Sequence, residues 1–410
     1  MDRNNTHPVL VIGGGIAGVT AAVELAEAGR EVVLVEKEPY LGGNVVKMHN
    51  YFPKLCPPAC GMEINFRRIR NNRRNRVMTK SELTHVSGPQ GHMTATIRTA
   101  PQHVNDLCTA CGDCVEACPE ERPDAFNYNF GTTKAIYRNH PLAFPQKYEI
   151  DQAYCKGTAC NRCVEACSYD AIDLAAQPEE TQLEIQSVIT ATGWKPYDAN
   201  AIDGLNYAAS KDIVTNVEFE RLLSVSGPAE GKLLRPSDGR PPRSVAFVQC
   251  AGSRDRNHLP YCSAVCCAAS LKHALNITTL LPGTKVTIYY IDLRVSGRNE
   301  DFLVRVEQAE QVRLVKGKVA RVEPGGTEGE LLVEAEEIAT GRKKKEPFDL
   351  VVLATGMVPS KGIPGMQQNE AGFYASAQPE GLYPAGCAYR PQDVSASVKE
   401  ATGAAIRAMK

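Results

Sequence analysis

Cysteines at 108, 111, 114 and 118, with Pro119 behind them, form a C-x2-C-x2-C-x3-C-P run. Thiolates crowded at this spacing suit the corners of an iron–sulfur cubane better than the paired ligands of a zinc ribbon, the main alternative. A second run holds Cys155, Cys160, Cys163 and Cys167. It departs from the first in two ways, with four residues between Cys155 and Cys160 and Ser168 in place of proline. The chain also opens with Gly13-x-Gly15-x-x-Gly18, a dinucleotide fingerprint. Clusters carry one electron at a time and a flavin one or two, so the combination points to electron transfer.

The elements that must position these residues are readable around them. Val9 to Ile12 is a short apolar strand, and Gly13, Gly14, Gly15, Ile16, Ala17 and Gly18 open a helix. A second strand, from Val32 to Lys37, brings in Glu36, 18 residues past Gly18. In this order the glycines admit a pyrophosphate to the helix N-terminus, and the carboxylate takes the ribose hydroxyls. Gly42 and Gly43, followed by Asn44, resemble the continuation found after Glu-Lys in two-dinucleotide-domain flavoproteins, which favours FAD over NAD. Two strands ending in Ala-Thr-Gly, at Ala191, Thr192 and Gly193 and at Ala354, Thr355 and Gly356, resemble the chain crossings beside that cofactor. Gly386 and the helix from Val394 resemble the last flavin motif of the superfamily, whose usual Asp is replaced by Cys387.

In two-cluster ferredoxins the fourth cysteine of each run crosses to the other cluster. That pattern assigns Cys108, Cys111, Cys114 and Cys167 to one 4Fe–4S cluster and Cys155, Cys160, Cys163 and Cys118 to the other. The insert carrying them spans about residues 104–176.

A second βαβ unit is expected over residues 244–291, with a helix near Ala264 to Asn276. Its loop reads QCAGSRDRNHLPYCSAVCC, without the glycines that a nicotinamide nucleotide requires. Cys250, Cys262, Cys266 and Cys267 stand there instead, as inert core thiols, a reactive dithiol pair, or ligands of a third, unusual cluster, the reading favoured here. Cys56 and Cys60 would share one face of a helix, as a redox pair or as packing. The arginines at 67, 68, 70, 73, 74 and 76 read as a solvated helix face and turn, or as a docking patch for an acidic partner. Lys343, Lys344 and Lys345 read as a hairpin tip.

At 410 residues the chain suggests two or three domains, and a net charge of −1 gives no push toward nucleic acid. Its fifteen cysteines lie largely at cluster spacings, and no apolar signal core precedes the first strand. The expectation is a reduced, cytoplasmic protein that reaches any membrane through a partner. No Ser–His–Asp arrangement or paired catalytic carboxylates occur, so no catalytic acid or base is expected.

Taken together, GGGIAG, LCPPAC, the insert with KAIYRNHPLAFPQKYEID, QCAGSRD…YCSAVCC and AGCAYRPQDVSASVKEATGAAIRA resemble the A subunit of heterodisulfide reductase and its relatives. The short form is similar to the A subunits of quinone-interacting membrane-bound oxidoreductases. The resemblance implies FAD, cluster wires and sister subunits: a second flavoprotein of the same kind and a membrane subunit handling quinone. It further implies exchange with adenylylsulfate reductase and flavin-based bifurcation or confurcation. The implied fold is α/β, a thioredoxin-reductase-like two-dinucleotide-domain flavoprotein with an α+β ferredoxin insert. Expected divisions are 1–103 and 177–240 for the FAD domain, 104–176 for the insert, 241–348 for a degenerate nicotinamide-type domain, and 349–410 for the FAD domain's last part. The alternative function is a stand-alone FAD-dependent NAD(P)H:ferredoxin-type oxidoreductase.

Overall fold

The computed structural model describes residues 7–295, 297–327 and 329–410, the Arg298 side chain excepted. Their contacts divide the chain into two units, residues 1–46, 59–194 and 359–410 in one and 47–58 and 195–358 in the other.

The first unit is built on a five-stranded parallel sheet. Its strands are β1 (Val9–Ile12), β2 (Val32–Val35), β3 (Asn75–Met78), β4 (Ser187–Thr190) and the edge strand Leu382–Pro384. Their order is Leu382–Pro384, β4, β1, β2, β3. β1, β2 and β4 are buried along their whole length, which is why β1 and β2 read as unbroken apolar runs rather than alternating ones. Helix α1 (Ile16–Glu27) is buried on most sides, packed between the sheet and the C-terminal helix Val394–Ala408. Alanines dominate both helices, and their small side chains let the backbones approach. Helix α2 (Pro58–Asn71) follows the first βα turn.

Hydrogen bonds join the chain near the ends of the expected insert. Asn105 N donates to Ala171 O, Asp173 N donates to His103 O, and Val104 bridges Ile172.

The second unit holds a seven-stranded sheet, from β5 (Ile213–Thr215), β6 (Ser244–Ala251), β7 (Lys285–Tyr290), β8 (Val312–Pro324), β9 (Leu331–Glu337), β10 (Arg342–Phe348) and β11 (Leu350–Thr355). The order is β5-β11-β6-β7-β8-β9-β10. The first five are parallel and β8-β9-β10 form an antiparallel meander. Helices α3 (Asn216–Leu223) and α4 (Cys266–Leu280) belong to this unit.

Three expectations are revised. The division expected at 240 falls at 194, because β5 pairs with β11 and carries residues 195–240 into the second sheet. For the same reason the chain returns to the first unit at 359 rather than 349. Lys343, Lys344 and Lys345 lie inside β10, not at a tip: cross-strand carboxylates, Glu337 for Lys344 and Glu323 for Lys345, offset their charge. Among the described residues no helix is long and apolar enough to cross a membrane.

Candidate functional site

The glycine fingerprint forms a cradle in the first unit. Gly13 turns at φ +102°, and a Cβ there would sit 2.3 Å from Ala191 O. A Cβ on Gly18 would sit 1.7 Å from Gly13 O, so that glycine lets α1 press onto the loop. Gly15 differs, since a Cβ there would meet nothing within 4 Å. Gly15 is also the N-cap of α1, with no side-chain cap and no acid in the first turn. The first-turn N–H groups of Ile16, Ala17 and Gly18 therefore lack intrahelical acceptors, and the helix dipole favours an anion beside them. An open approach at Gly15 and an uncapped helix start fit the pyrophosphate of FAD.

Glu36, 6% exposed, accepts from Gly14 N at 2.5 Å through Oε2 and from Glu38 N at 2.8 Å through Oε1. Burial pushes its carboxyl upward against those two bonds. Gly42 N donates to Gly14 O, and Gly43 sits at φ +55° against Gly15 Cα. Asn44 Nδ2 reaches Trp194 O at 2.9 Å. Ala191 N donates to Ile12 O, and Gly193 O accepts from Ser360 N. Thr192 lies between them in the same turn. Lys37 is exposed, 3.8 Å from Glu38, and takes no part in the cradle.

At the C-terminal motif Gly386 turns at φ +69°, and a Cβ there would lie 2.8 Å from Ala17 Cβ of α1. The Cys387 thiol faces Gln392 O at 3.3 Å and Ser397, and burial raises it. Val394 opens the last helix, capped by Asp393 Oδ1 on Ala396 N at 2.7 Å. Sequence reading missed two contributors here. Asp393 is a readable helix-start signal. Glu400 Oε2 accepts from Gly386 N, 14 residues away, and from Gln392 Nε2, and has no local signature.

In the insert each cysteine run places its third member at the start of a short helix. Cys114 lies in Asp113–Ala117 and Cys163 in Arg162–Glu165, after left-handed caps at Gly112 and Asn161. Both are buried in a small core with Val104, Ile136 and Ile150, fringed by Cys108, Cys118 and Cys155. Burial, then the neighbouring Cys108, Cys111 and Cys163, pushes the Cys114 thiol up to about 12. The Cys163 thiol is raised by burial and then by Cys155 and Cys118. Cys118 of the first run thus neighbours Cys163 of the second, in the crossing sense. Cys160 and Cys167 are half-buried beside the second helix, and Cys111 is exposed. Among the described residues no three His, Cys, Asp or Glu converge on a point as a single metal ion requires.

The second unit replaces a phosphate-binding loop with a tied one. Arg254 N donates to Tyr261 O, Asp255 N to Leu259 O, and Leu259 N to Gly252 O. Ser263 Oγ lies 3.1 Å from Ser253 Oγ and accepts from Met357 N. Cys250, Arg254 and Ala264 hold left-handed backbone, a strain that this bonding over-determines. Cys266 and Cys267 open α4, whose N-cap, Val265, supplies no side-chain bond. Burial, followed by Cys267, Cys250 and Cys262, raises the Cys266 thiol; that thiol faces Thr355 O and the Cys267 thiol faces Asp292 O. Among the described residues the Gln249 amide, next to Cys250 in sequence, and the Ser270 hydroxyl, one turn past Cys266, have no hydrogen-bond partner. Both are buried. Orphaned buried groups of this kind fit a site meant to hold something polar or charged. Ala354 and Thr355 end β11, and Gly356 packs on this loop, its Cβ direction closed by Ser253 and Ser263.

Cys56 and Cys60 do not share a helix face, since α2 starts at Pro58 and leaves Cys56 outside it; both are exposed. The arginines from 67 to 76 are exposed, with Arg67 on Glu63 and Arg68 on Glu27.

Residues 8–111 match the FAD dependent oxidoreductase family. The chain is 36% identical to the A subunit of the "H(2):CoB-CoM heterodisulfide,ferredoxin reductase" of Methanothermobacter marburgensis, over 97% of this chain and 63% of that protein. It is 37% identical to the A subunit of the "Ferredoxin:CoB-CoM heterodisulfide reductase" of Methanosarcina mazei, over 98% of this chain and 53% of that one. The chain therefore spans between half and two thirds of the length of these relatives. Among solved structures, the thioredoxin reductases of T. acidophilum and Lactococcus lactis superpose with TM-scores of 0.55 and 0.54. Both cover 98% of this chain, at 14% and 13% identity, and 97% and 98% of their own lengths. The fold is thus that of thioredoxin-reductase-like FAD oxidoreductases.

Proposed function

We propose that this chain, an oxidoreductase component related to the A subunit of heterodisulfide reductase, is a flavin and iron–sulfur electron-transfer member of a larger redox complex. FAD would be held by Gly13, Gly15, Gly18 and Glu36. Two 4Fe–4S clusters would be held by Cys108, Cys111, Cys114 and Cys167 and by Cys155, Cys160, Cys163 and Cys118. A third would be held by Cys250, Cys262, Cys266 and Cys267. When bound, these groups supply one- and two-electron exchange.

The protein's own contribution is placement. The open N-terminus of α1 receives negative charge, Glu36 fixes the loop that presents it, and the short insert helices bury Cys114 and Cys163 away from water. The finer reading adds a sister flavoprotein, a membrane partner that handles quinone, exchange with adenylylsulfate reductase, and splitting or merging of electron pairs.

One observation carries the proposal over the NAD(P)H-dependent alternative. The loop after β6 is closed by its own hydrogen bonds and carries cysteines where the fingerprint glycines would stand, Gly252 being its one glycine. The test is iron, sulfide and flavin content of anaerobically purified protein, beside a Cys262→Ala, Cys266→Ala variant. About twelve irons and one FAD, falling to about eight irons in the variant, is the expected result. Eight irons in both would remove the third cluster. Bleaching of the flavin by NADH or NADPH would return the alternative.

A further inference from the structure

The insert is the acidic pole of the chain. Residues 104–176 carry eleven Asp and Glu against six Lys and Arg, in a chain whose net charge is −1, so the remainder is basic. Within the insert Lys147 pairs with Asp106, Lys156 with Glu120, Lys134 with Glu121 and Arg122 with Asp151. Those pairings leave Asp113, Glu116 and Asp170, all exposed, without an ion-pair partner among the described residues. The Asp106 side chain is 96% exposed even with Lys147 at 3.1 Å.

Two large apolar side chains stand out to solvent beside these acids. Leu107, 61% exposed, immediately precedes Cys108, and Tyr169, 48% exposed, follows Cys167 by two residues. One side chain stitches their segments together. Asn105 Oδ1 accepts from Leu107 N at 2.9 Å, and Asn105 Nδ2 donates to Asp170 O at 3.3 Å. Asn105 N also donates to Ala171 O, so the two segments run side by side. Of the eight cysteines in the insert only Cys111 is exposed.

We propose that Leu107 and Tyr169, with Asp106 and Asp170 beside them, form a docking face for a redox protein that presents basic side chains around an apolar centre. Through this face the cluster at Cys108, Cys111, Cys114 and Cys167 exchanges single electrons with that partner. The inference rests on the ferredoxin-cluster reading above. Acids on this side select bases on the other, because opposite fields steer the encounter and speed it at low salt. The apolar pair then fixes the orientation, and tyrosine is among the side chains that anchor interfaces most strongly. Electron-transfer contacts are small, burying less than about 1,200 Å2, a scale that two anchors and a few charges match. One electron moves between the reduced cluster and the partner's oxidised one-electron centre, and no bond is made or broken. Tyr154, before Cys155, holds the corresponding place in the second run, where every cysteine is half-buried or buried. The exit is therefore at the first run.

The test uses cytochrome c, a basic one-electron haem protein, as the probe. Dithionite-reduced protein is mixed with it anaerobically in a stopped-flow cell, and hexacyanoferrate(III) serves as a small oxidant that needs no docking face. Iron is counted in every sample. The wild-type rate with cytochrome c is expected to fall at least about tenfold between about 10 and 150 mM salt. Leu107→Ala with Tyr169→Ala is expected to keep its iron and its rate with hexacyanoferrate(III), and to lose about tenfold with cytochrome c at low salt. Asp106→Asn with Asp170→Asn should flatten the salt dependence, and Tyr154→Ala should behave as wild type. A parental rate in the Leu107, Tyr169 variant overturns the proposal, as does a salt-independent rate in the wild type. Equal slowing with both oxidants overturns it too, since the cluster rather than the face would have changed. Wild-type protein without iron would instead refute the cluster reading, and the iron count shows that before any kinetics.

Discussion

Two glycines of one fingerprint should respond oppositely to the same methyl group. At Gly18 an added Cβ lies 1.7 Å from the Gly13 carbonyl oxygen, more than 1 Å inside the 3.0 Å that real Cβ contacts respect. The neighbour is backbone held between β1 and β2, so α1 would have to back away from the sheet. Over-packing of this severity costs at least about 3 kcal/mol, the upper end of the usual range. At Gly15 the same atom enters open space. The backbone there is extended, at φ −71° and ψ −176°, which alanine adopts freely. The fold should lose only the N-cap difference, about 0.5–1 kcal/mol. The methyl does, however, stand where a pyrophosphate would approach the first turn of α1. Gly15→Ala should therefore bind FAD at least tenfold more weakly, about 1.4 kcal/mol, while its flavin-free form melts within a few degrees of the parent. Flavin-to-protein ratio after gel filtration and melting of the stripped protein measure both quantities. Full flavin in Gly15→Ala would refute the cradle, and parental melting of Gly18→Ala would refute the tight loop–helix contact.

In the second unit, Lys272 and His273 of α4 both bond the buried Glu220 of α3, and Lys272→Met would leave that carboxylate without its ammonium partner, with only the bonds from His273 and His49 N remaining. A loss of about 3–5 kcal/mol in urea titration is expected, largely recovered by adding Glu220→Gln. His273 is fully buried and burial lowers its folded pKa, so the unfolded chain binds its proton more readily. The stability this contributes is complete above an unfolded value of about 6.5 and is lost as pH falls below it. Melting between pH 5 and 8 should show that slope, and His273→Gln should flatten it. Lys80 bonds Glu149 of the insert, whose carboxyl burial pushes upward. Lys80→Met should make the insert the first site of limited proteolysis, with residues 104–176 released before the Rossmann core; unchanged cleavage would count against that anchor.

Much of the chemistry was legible because it is local. The spacing of Cys108 to Cys118 marks a ligand run wherever that stretch is placed, and Gly13 to Gly18 after an apolar run marks a strand–loop–helix. Gly18 meets Gly13, and Gly14 N meets Glu36 only 22 residues on, so periodicity and turn chemistry carry these contacts, while Gly13 against Ala191 does not follow from them. Even Asp393, which was missed, is a local cap.

What the sequence left open depends on contacts between distant residues. Nothing local says that 195–240 joins the second sheet; that follows from β5 pairing with β11, more than 130 residues away. The segment 47–58 joins α3 and α4 through Asn50 with Asn276, 226 residues apart, and Lys272 with Asn50 O. The lysines at 343 to 345 looked like a tip because charge runs usually seek water, yet facing glutamates on the meander let them sit in a strand. The cysteines of the second unit posed the same problem more sharply. Four thiols in 18 residues could be core, dithiol or ligand set, and it is the fold that buries Cys266 and Cys267 at the start of α4 and turns Cys250 into a left-handed bend. Residue type and spacing specify which groups can do chemistry. Burial, charge pairing and backbone strain, which exist only after distant strands have met, decide which of them face one another.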